Sequence, residues 1–68
     1  MAERLANGLR DRRAALGLTQ AQLAELVGVT RKTVNTVENG VFTPSATLAI
    51  KLARALSEPV ESLFWLAE

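Results

Sequence analysis

The chain has 68 residues, of which 49% are hydrophobic and 22% are charged, and its formal net charge is only +1. Cysteine and histidine are absent, which excludes disulfides, Cys/His metal sites, thiol nucleophiles and imidazole bases. No apolar run approaches the ~20 residues that cross a bilayer, and the N-terminus lacks the apolar region of a signal peptide. We therefore expect one cytoplasmic domain over residues 1–68, with no metal, cofactor, membrane contact or small-molecule ligand. An enzyme is not expected, because no catalytic constellation can be assembled from the remaining side chains.

The charges are distributed unevenly along the chain. Residues 1–34 carry six basic side chains against three acidic ones, whereas residues 35–68 carry two against four. A basic half and an acidic half favour one face directed at a polyanion, although an ordinary solvated surface would show the same counts.

The first two predicted helices follow from apolar residues that recur at intervals of three and four rather than two, which also predicts that strands are absent. The inner face of the first helix is marked by Leu5, Leu9, Arg13 and Leu16, and Gly17 ends it. Thr19 and Gln22 form a capping box that begins a second helix. Its apolar stripe is Leu23, Leu26 and Val27, and Gly28 ends it.

Three further helices are predicted from caps and apolar stripes. Thr30 caps the third and Gly40 ends it, Ser45 caps the fourth, and Pro59 suits the first turn of a short fifth helix. The inward residues of the fourth are Leu48, Leu52, Ala55 and Leu56, and the fifth carries Val60, Leu63 and Phe64. We expect Phe42, in the loop between the third and fourth helices, to fold back onto the core. The predicted fold is an all-α, compact five-helix domain.

The second and third helices are predicted to form a helix-turn-helix. Only Val29 and Thr30 separate the stop at Gly28 from the third helix, and so short a link forces two helices to cross steeply. Ala24 leaves room for the third helix, and Gly28 can adopt the positive φ that the turn requires.

The outward face of the third helix is polar along its whole length. It comprises Arg31, Lys32, Thr33, Asn35, Thr36 and Asn39. Arg and Lys can chelate guanine in the major groove, and Asn can pair with adenine. A solvated helix face is the alternative, but the preceding turn favours contact with DNA.

The sequence resembles the Cro/C1-type helix-turn-helix family, which includes lambdoid phage repressors and many short bacterial regulators. The resemblance covers roughly Leu5 to Leu66, and its motifs are Leu16 to Ala24, Val27 to Val29, Val37 to Gly40, and Pro44-Ser45. It implies a lambda-repressor-like DNA-binding domain that contacts a palindromic double-stranded operator as a homodimer.

The resemblance also implies roles for individual residues. The positions matched to base contacts are Arg31, Lys32 and Thr36, with Asn35 beside them. The positions matched to phosphate contacts are Gln20 and Asn39, and Thr33 is expected to join them. Arg10 and Arg12 on the first helix are further phosphate candidates, although each suits a solvated position equally well.

Arg13 and Glu38 are expected to form a structural ion pair. Arg13 interrupts the apolar stripe of the first helix, and Glu38 lies beside Val37 on the third. The family pairs these two positions, which fixes the angle of the recognition helix. The alternative is that Arg13 extends its guanidinium to solvent.

Two positions depart from the family pattern. The loop after Gly40 often carries a basic residue for phosphate contact, whereas this chain has Val41-Phe42-Thr43. Ser57 replaces the glycine that commonly ends the fourth helix, so we expect this connection to be slightly strained or differently shaped.

The C-terminal end carries five consecutive apolar residues, 63–67, more than one helix face can bury. We expect residues 59–68 to form the dimerisation end, with Leu63, Trp65 and Leu66 at the interface; folding back over the first helix is the alternative. Such a dimer would hold two recognition helices about one DNA turn (~34 Å) apart.

The function expected from these features is sequence-specific DNA binding by a nucleoid-associated transcriptional regulator, a repressor or autoregulator rather than an activator. An antitoxin or a protein-interaction module with the same fold is the alternative. A protein-binding version should carry aromatic or aliphatic anchors at the front of the third helix, where Arg31, Lys32 and Thr33 stand.

Overall fold

The computed structural model describes residues 3–67, so Glu68, the last residue of the expected dimerisation end, lies outside the described residues. The elements are β1 (Arg4–Asn7), α1 (Leu9–Ala15), α2 (Gln20–Val27), α3 (Arg31–Glu38), α4 (Ala46–Ala55), α5 (Val60–Leu63) and β2 (Phe64–Ala67). All five predicted helices are present. No helix of residues 3–67 is long and apolar enough to cross a membrane.

The all-α prediction is wrong at the two ends of the chain, which form a two-stranded antiparallel sheet. In this sheet Leu5 lies opposite Leu66, and Asn7 lies opposite Phe64. Leu5 therefore belongs to a strand rather than to the first helix, and Phe64 begins a strand rather than continuing the fifth. Each strand has only four residues, too few for a clear alternation, and its partner lies about sixty residues away along the chain. Tertiary pairing therefore decides their conformation.

The predicted starts of α2, α3 and α4 are confirmed by their capping hydrogen bonds. The backbone N–H of Gln22 donates to Thr19 Oγ1 at 3.0 Å, and the N–H of Thr19 donates to Gln22 Oε1 at 2.8 Å. Thr30 and Ser45 accept from backbone N–H groups three residues later, at 3.2 and 3.1 Å. These bonds satisfy amides that a helix start otherwise leaves unpaired.

The core lies at the centre of the five helices and draws residues from each of them and from β2. Its buried members are Leu9, Leu23, Ala24, Val27, Val34, Val37, Leu52, Ala53, Leu56, Leu63 and Phe64. Half-buried side chains around them include Leu5, Val29, Leu48, Ala55 and Val60.

Three residues predicted to face inward are exposed instead. Leu26 is 62% exposed, because the buried arc of α2 runs through Leu23, Ala24 and Val27 and leaves Leu26 off its edge. Leu16 follows the last residue of α1 and is no longer on its inner face. Phe42 lies in the loop between α3 and α4 and does not return to the core.

The end of α4 carries the strain expected at Ser57. Its φ is +56°, in the left-handed region that favours glycine. The N–H of Ser57 donates to Arg54 O at 3.2 Å, and the N–H of Glu58 donates to Ala53 O at 3.0 Å. These two bonds close the helix in the Schellman manner, so backbone hydrogen bonding holds Ser57 in this conformation.

Candidate nucleic-acid interface

The turn between α2 and α3 is short and tightly hydrogen-bonded. Gly28 has a φ of +78°, and its N–H donates to Ala24 O at 2.9 Å. The N–H of Val29 donates to the same carbonyl at 3.0 Å, while its side chain packs against the core. The left-handed Gly28 reverses the chain within three residues and directs α3 across α2, as a helix-turn-helix requires.

The two faces of α3 differ completely in environment. Val34 and Val37 are buried and hold the helix against the core. Arg31, Lys32 and Asn35 are exposed on the opposite face, and neither of the two cations takes part in the ion pairs of residues 3–67. The exposed side chains thus begin at the N-terminal end of α3, immediately after the turn.

The threonines of α3 are more constrained than the neighbouring long side chains. Thr36 is half-buried, and its hydroxyl donates to Thr33 O at 2.9 Å. The hydroxyls of Thr33 and Thr30 lie 3.0 Å apart at the start of the helix. The Thr36 hydroxyl is therefore already engaged in a hydrogen bond within α3, and the methyl group is the part of the side chain that this bond does not involve.

Glu38 lies at the end of α3, and its side chain is completely enclosed. Arg13 Nε donates to its Oε2 at 2.6 Å, and Arg13 Nη2 donates to its Oε1 at 3.2 Å. Gln20 Nε2 donates to the same Oε1 at 3.0 Å, and Arg10 Nε lies 3.7 Å from it. One buried carboxylate therefore joins α3 to side chains of both α1 and α2.

The surroundings of Glu38 favour its ionised form. Burial of the carboxylate opposes ionisation, but the hydrogen bonds from Arg13 and Gln20 and the charges of Arg13 and Arg10 outweigh it, so the pKa of Glu38 is lowered. The hydrogen bond to Glu38 raises the pKa of Arg13, against a smaller opposing effect of burial. The pair is charged on both sides at neutral pH.

The phosphate candidates divide into two locations. Arg10 Nη2 donates to Asn39 Oδ1 at 2.9 Å, and Asn39 Nδ2 donates to Asn35 O at 2.9 Å, so these residues meet at the C-terminal end of α3. Gln20 joins them through Glu38. Arg12 does not, because its Nε donates to Leu56 O at 3.1 Å and lies 3.2 Å from Oε2 of Glu58, beside the α4–α5 connection.

A sequence model of the helix-turn-helix family matches residues 9–63, which include α1 to α5. The chain belongs to the Cro/C1-type helix-turn-helix family. It is 45% identical over 62 residues to the uncharacterized HTH-type transcriptional regulator YgzD of Bacillus subtilis (strain 168), covering 91% of this chain and 94% of that protein. It is 51% identical over 61 residues to an uncharacterized HTH-type transcriptional regulator of Methanothermobacter thermautotrophicus, covering 88% of each.

A solved member of the family has a similar fold. The restriction-modification controller protein C.AhdI from Aeromonas hydrophila superimposes with a TM-score of 0.76 and 41% sequence identity. The match covers 79% of this chain and 82% of that protein. The helix-turn-helix of this family is a DNA-binding fold, and the relatives are named as transcriptional regulators.

Asn7 is a structural residue of the site that the sequence analysis missed. Its Nδ2 donates to Val37 O at 3.0 Å, and its Oδ1 accepts from the N–H of Leu9 at 3.1 Å. One amide therefore connects β1, the start of α1 and the end of α3. An Asn that accepts from the amide two residues later forms an Asx turn, but the prediction of a helix that already includes Leu5 left no turn at this position.

The expected dimerisation end needs one correction. Leu63 is only 1% exposed and belongs to the core of the protomer, so its side chain is not available at an interface. Trp65 and Leu66 lie on β2 and are 46% and 64% exposed. Ring carbons Cη2 and Cζ3 of Trp65 lie 3.6 Å from where a β-carbon on Gly8 would stand, so one side of the indole covers the start of α1.

Proposed function

We propose that this protein is a sequence-specific regulator of transcription that binds a palindromic double-stranded operator as a homodimer and represses from it, its own gene included. The observation that carries the proposal is the exposed face of α3. Arg31 and Lys32 stand there outside the ion pairs of residues 3–67, with Asn35 exposed beside them, on a helix whose other face is held in the core. That placement suits insertion of the helix N-terminus into a major groove.

Base discrimination falls to the side chains of α3 that face outward. Arg31 and Lys32 can donate to O6 and N7 of guanine, and Asn35 can make the paired hydrogen bonds that select adenine. Thr36 has its hydroxyl engaged with Thr33 O at 2.9 Å, so its methyl group is the part suited to a thymine methyl.

Phosphate contacts on either side of α3 are assigned to the neighbouring polar groups. Arg10 and Asn39 flank the C-terminal end of the helix, where Gln20 also lies through its bond to Glu38, while Thr33 lies in the first turn of α3. Such contacts place the protein on the duplex without selecting a sequence. Arg12 is left out of this proposal, because its guanidinium is held by Leu56 O and Glu58.

A protein-interaction module is the competing function for this fold. The start of α3 displays Arg31 and Lys32 and no exposed aliphatic or aromatic anchor, which favours a polyanion over an apolar partner. DNA binding is therefore the function that this face supports best.

Selection of bound sequences from random DNA by the purified protein tests the proposal. A palindromic consensus is expected, and Arg31→Ala should weaken binding to it about tenfold or more and relax one base preference in each half-site. Arg54→Ala is the matched control, because Arg54 is an exposed arginine on α4 outside the interface. Equal losses in the two variants, or no enriched sequence, would contradict the proposal.

A further inference from the structure

The outer edge of β2 is the most distinctive surface that DNA binding leaves unused. The N–H of Gly8 donates to Leu63 O at 2.9 Å, which extends the β1–β2 ladder by one hydrogen-bonded pair. Hydrogen-bonded and non-hydrogen-bonded pairs alternate in an antiparallel ladder. The backbone groups of Trp65 and Ala67 therefore face β1, as those of Leu63 do.

The same alternation directs the backbone groups of Phe64 and Leu66 away from β1. The N–H of Phe64 is already used, because it donates to Val60 O at the end of α5. The groups that remain on the outer edge are one donor, the Leu66 N–H, and two acceptors, the carbonyls of Phe64 and Leu66. An edge with these groups can accept another strand.

The side chains of β2 make this edge suited to a copy of itself. Residues 64–67 carry no charge, and Trp65 and Leu66 present apolar surface to solvent. The outer edge of β1 differs, since it includes Arg4 and follows Glu3. Two like strands that pair place identical charges close together, which disfavours β1 and leaves β2 unaffected.

We propose that two copies of the chain associate through β2, which pairs antiparallel with β2 of the second copy. The result is one four-stranded sheet in the order β1–β2–β2–β1 across a two-fold axis. The inference rests on the proposed function only in that a palindrome requires two copies. Antiparallel pairing of a strand with itself is compatible with a two-fold axis, so each bond from a Leu66 N–H is made twice.

This sheet would connect the two recognition helices rigidly. Asn7 of β1 donates to Val37 O near the end of α3, so each helix is tied to the sheet by a side-chain hydrogen bond of 3.0 Å. The separation of the two α3 helices is then set by strand pairing rather than by a mobile contact.

Leu66→Pro tests the pairing, because proline removes the Leu66 N–H and retains an apolar side chain at an edge position that tolerates it. The matched control is Leu66→Val, which keeps the N–H. The dissociation constant of the dimer is measured by sedimentation equilibrium without DNA. Leu66→Pro should raise it at least about tenfold, because two hydrogen bonds are lost, whereas Leu66→Val should change it by less than about threefold. Equal effects, or a wild-type protein that is monomeric at micromolar concentration, would overturn the pairing.

Amide hydrogen exchange provides a measurement that needs no variant. In the dimer the Leu66 amide should be protected, whereas the Leu5 amide, on the outer edge of β1, should exchange freely. A Leu66 amide that exchanges as fast as that of Leu5 in a dimeric sample would overturn the proposal.

A charge substitution locates the interface among the exposed leucines. Leu66→Lys should dissociate the dimer, whereas Leu26→Lys should not, although the two leucines are 64% and 62% exposed. The reverse result would place the interface on α2 and overturn the proposal. A protected Leu66 amide without selection of any palindrome supports the pairing and contradicts the proposed function. A selected palindrome with an unprotected Leu66 amide supports the proposed function and contradicts the pairing.

Discussion

Arg13 Nε lies 2.6 Å from Oε2 of Glu38, and the Glu38 side chain has no exposure to solvent. The guanidinium is further held by Leu18 O, to which Nη1 donates at 2.9 Å. This bidentate pair links the last turn of α1 to the last turn of α3, and Gln20 adds a contact from α2. The orientation of the recognition helix therefore depends on one buried carboxylate.

Glu38→Gln should lower the free energy of unfolding by about 3 kcal/mol, because removal of one charge leaves the other poorly solvated and without its partner. Urea denaturation at neutral pH measures the loss. Glu25→Gln is the control: Glu25 is exposed on α2 and belongs to none of the ion pairs of residues 3–67, so its loss should change stability by less than about 0.5 kcal/mol. Similar values for the two variants would show that the pair contributes little.

The same carboxylate predicts a dependence of stability on acid pH. The pKa of Glu38 is lower in the folded state than the ~4.3 of an unfolded glutamate, so its contribution is complete above that value. The contribution should be lost as the pH falls through the folded-state pKa. Denaturation curves between about pH 7 and about pH 3 should show the wild type and Glu38→Gln converging at the acid end. A constant difference between them over this range would exclude the effect.

Ser57→Gly should raise the free energy of unfolding by about 0.5 kcal/mol and the Tm by about 2–4 °C. Ser57 has a φ of +56°, and relief of its strain outweighs the greater backbone entropy that glycine brings to the unfolded chain. Thermal unfolding followed by circular dichroism measures the change. Ser62→Gly makes the same substitution within α5 and should destabilise instead.

Asn7→Ala should destabilise the fold by about 1–2 kcal/mol, because it leaves the Leu9 N–H and Val37 O without the side-chain partner. Asn7→Asp separates the two bonds: the carboxylate still accepts from Leu9 but cannot donate to Val37 O. We expect Asn7→Asp to keep the bond from the Leu9 N–H, to lose the link to α3 and therefore to weaken operator binding. Chemical denaturation and DNA titration of both variants test this, and equal DNA affinity in wild type and Asn7→Asp would contradict it.

Arg10 and Arg12 provide a matched pair for the salt dependence of DNA binding. Arg10→Ala should reduce the slope of log K against log salt by about 1, since one phosphate contact is lost. Arg12→Ala should leave the slope unchanged, because Arg12 is held by Leu56 O and Glu58. Titrations of the selected operator at several salt concentrations measure both slopes. A change in slope for Arg12→Ala alone would reverse the assignment of the two arginines.

The sequence by itself determined the features that depend on a few neighbouring residues. The starts of α2, α3 and α4 follow from Thr19, Thr30 and Ser45, whose side chains each accept from the amide three positions later. The turn at Gly28 and the strained Ser57 follow from backbone preferences of single residues. The family resemblance added the expectation that Arg13 and Glu38 form a pair.

Only the tertiary structure decided the features that depend on residues distant in the chain. β1 and β2 form because they pair with each other, and neither four-residue segment specifies a strand alone. Arg10 and Arg12 are two residues apart on one short helix, yet α1 turns one toward Asn39 and the other toward Glu58. Sequence patterns describe which residues can share a helix face, but packing decides which side chains each face contacts. Packing also places the exposed apolar residues at the end of the chain on the strand β2 rather than on the surface of a fifth helix.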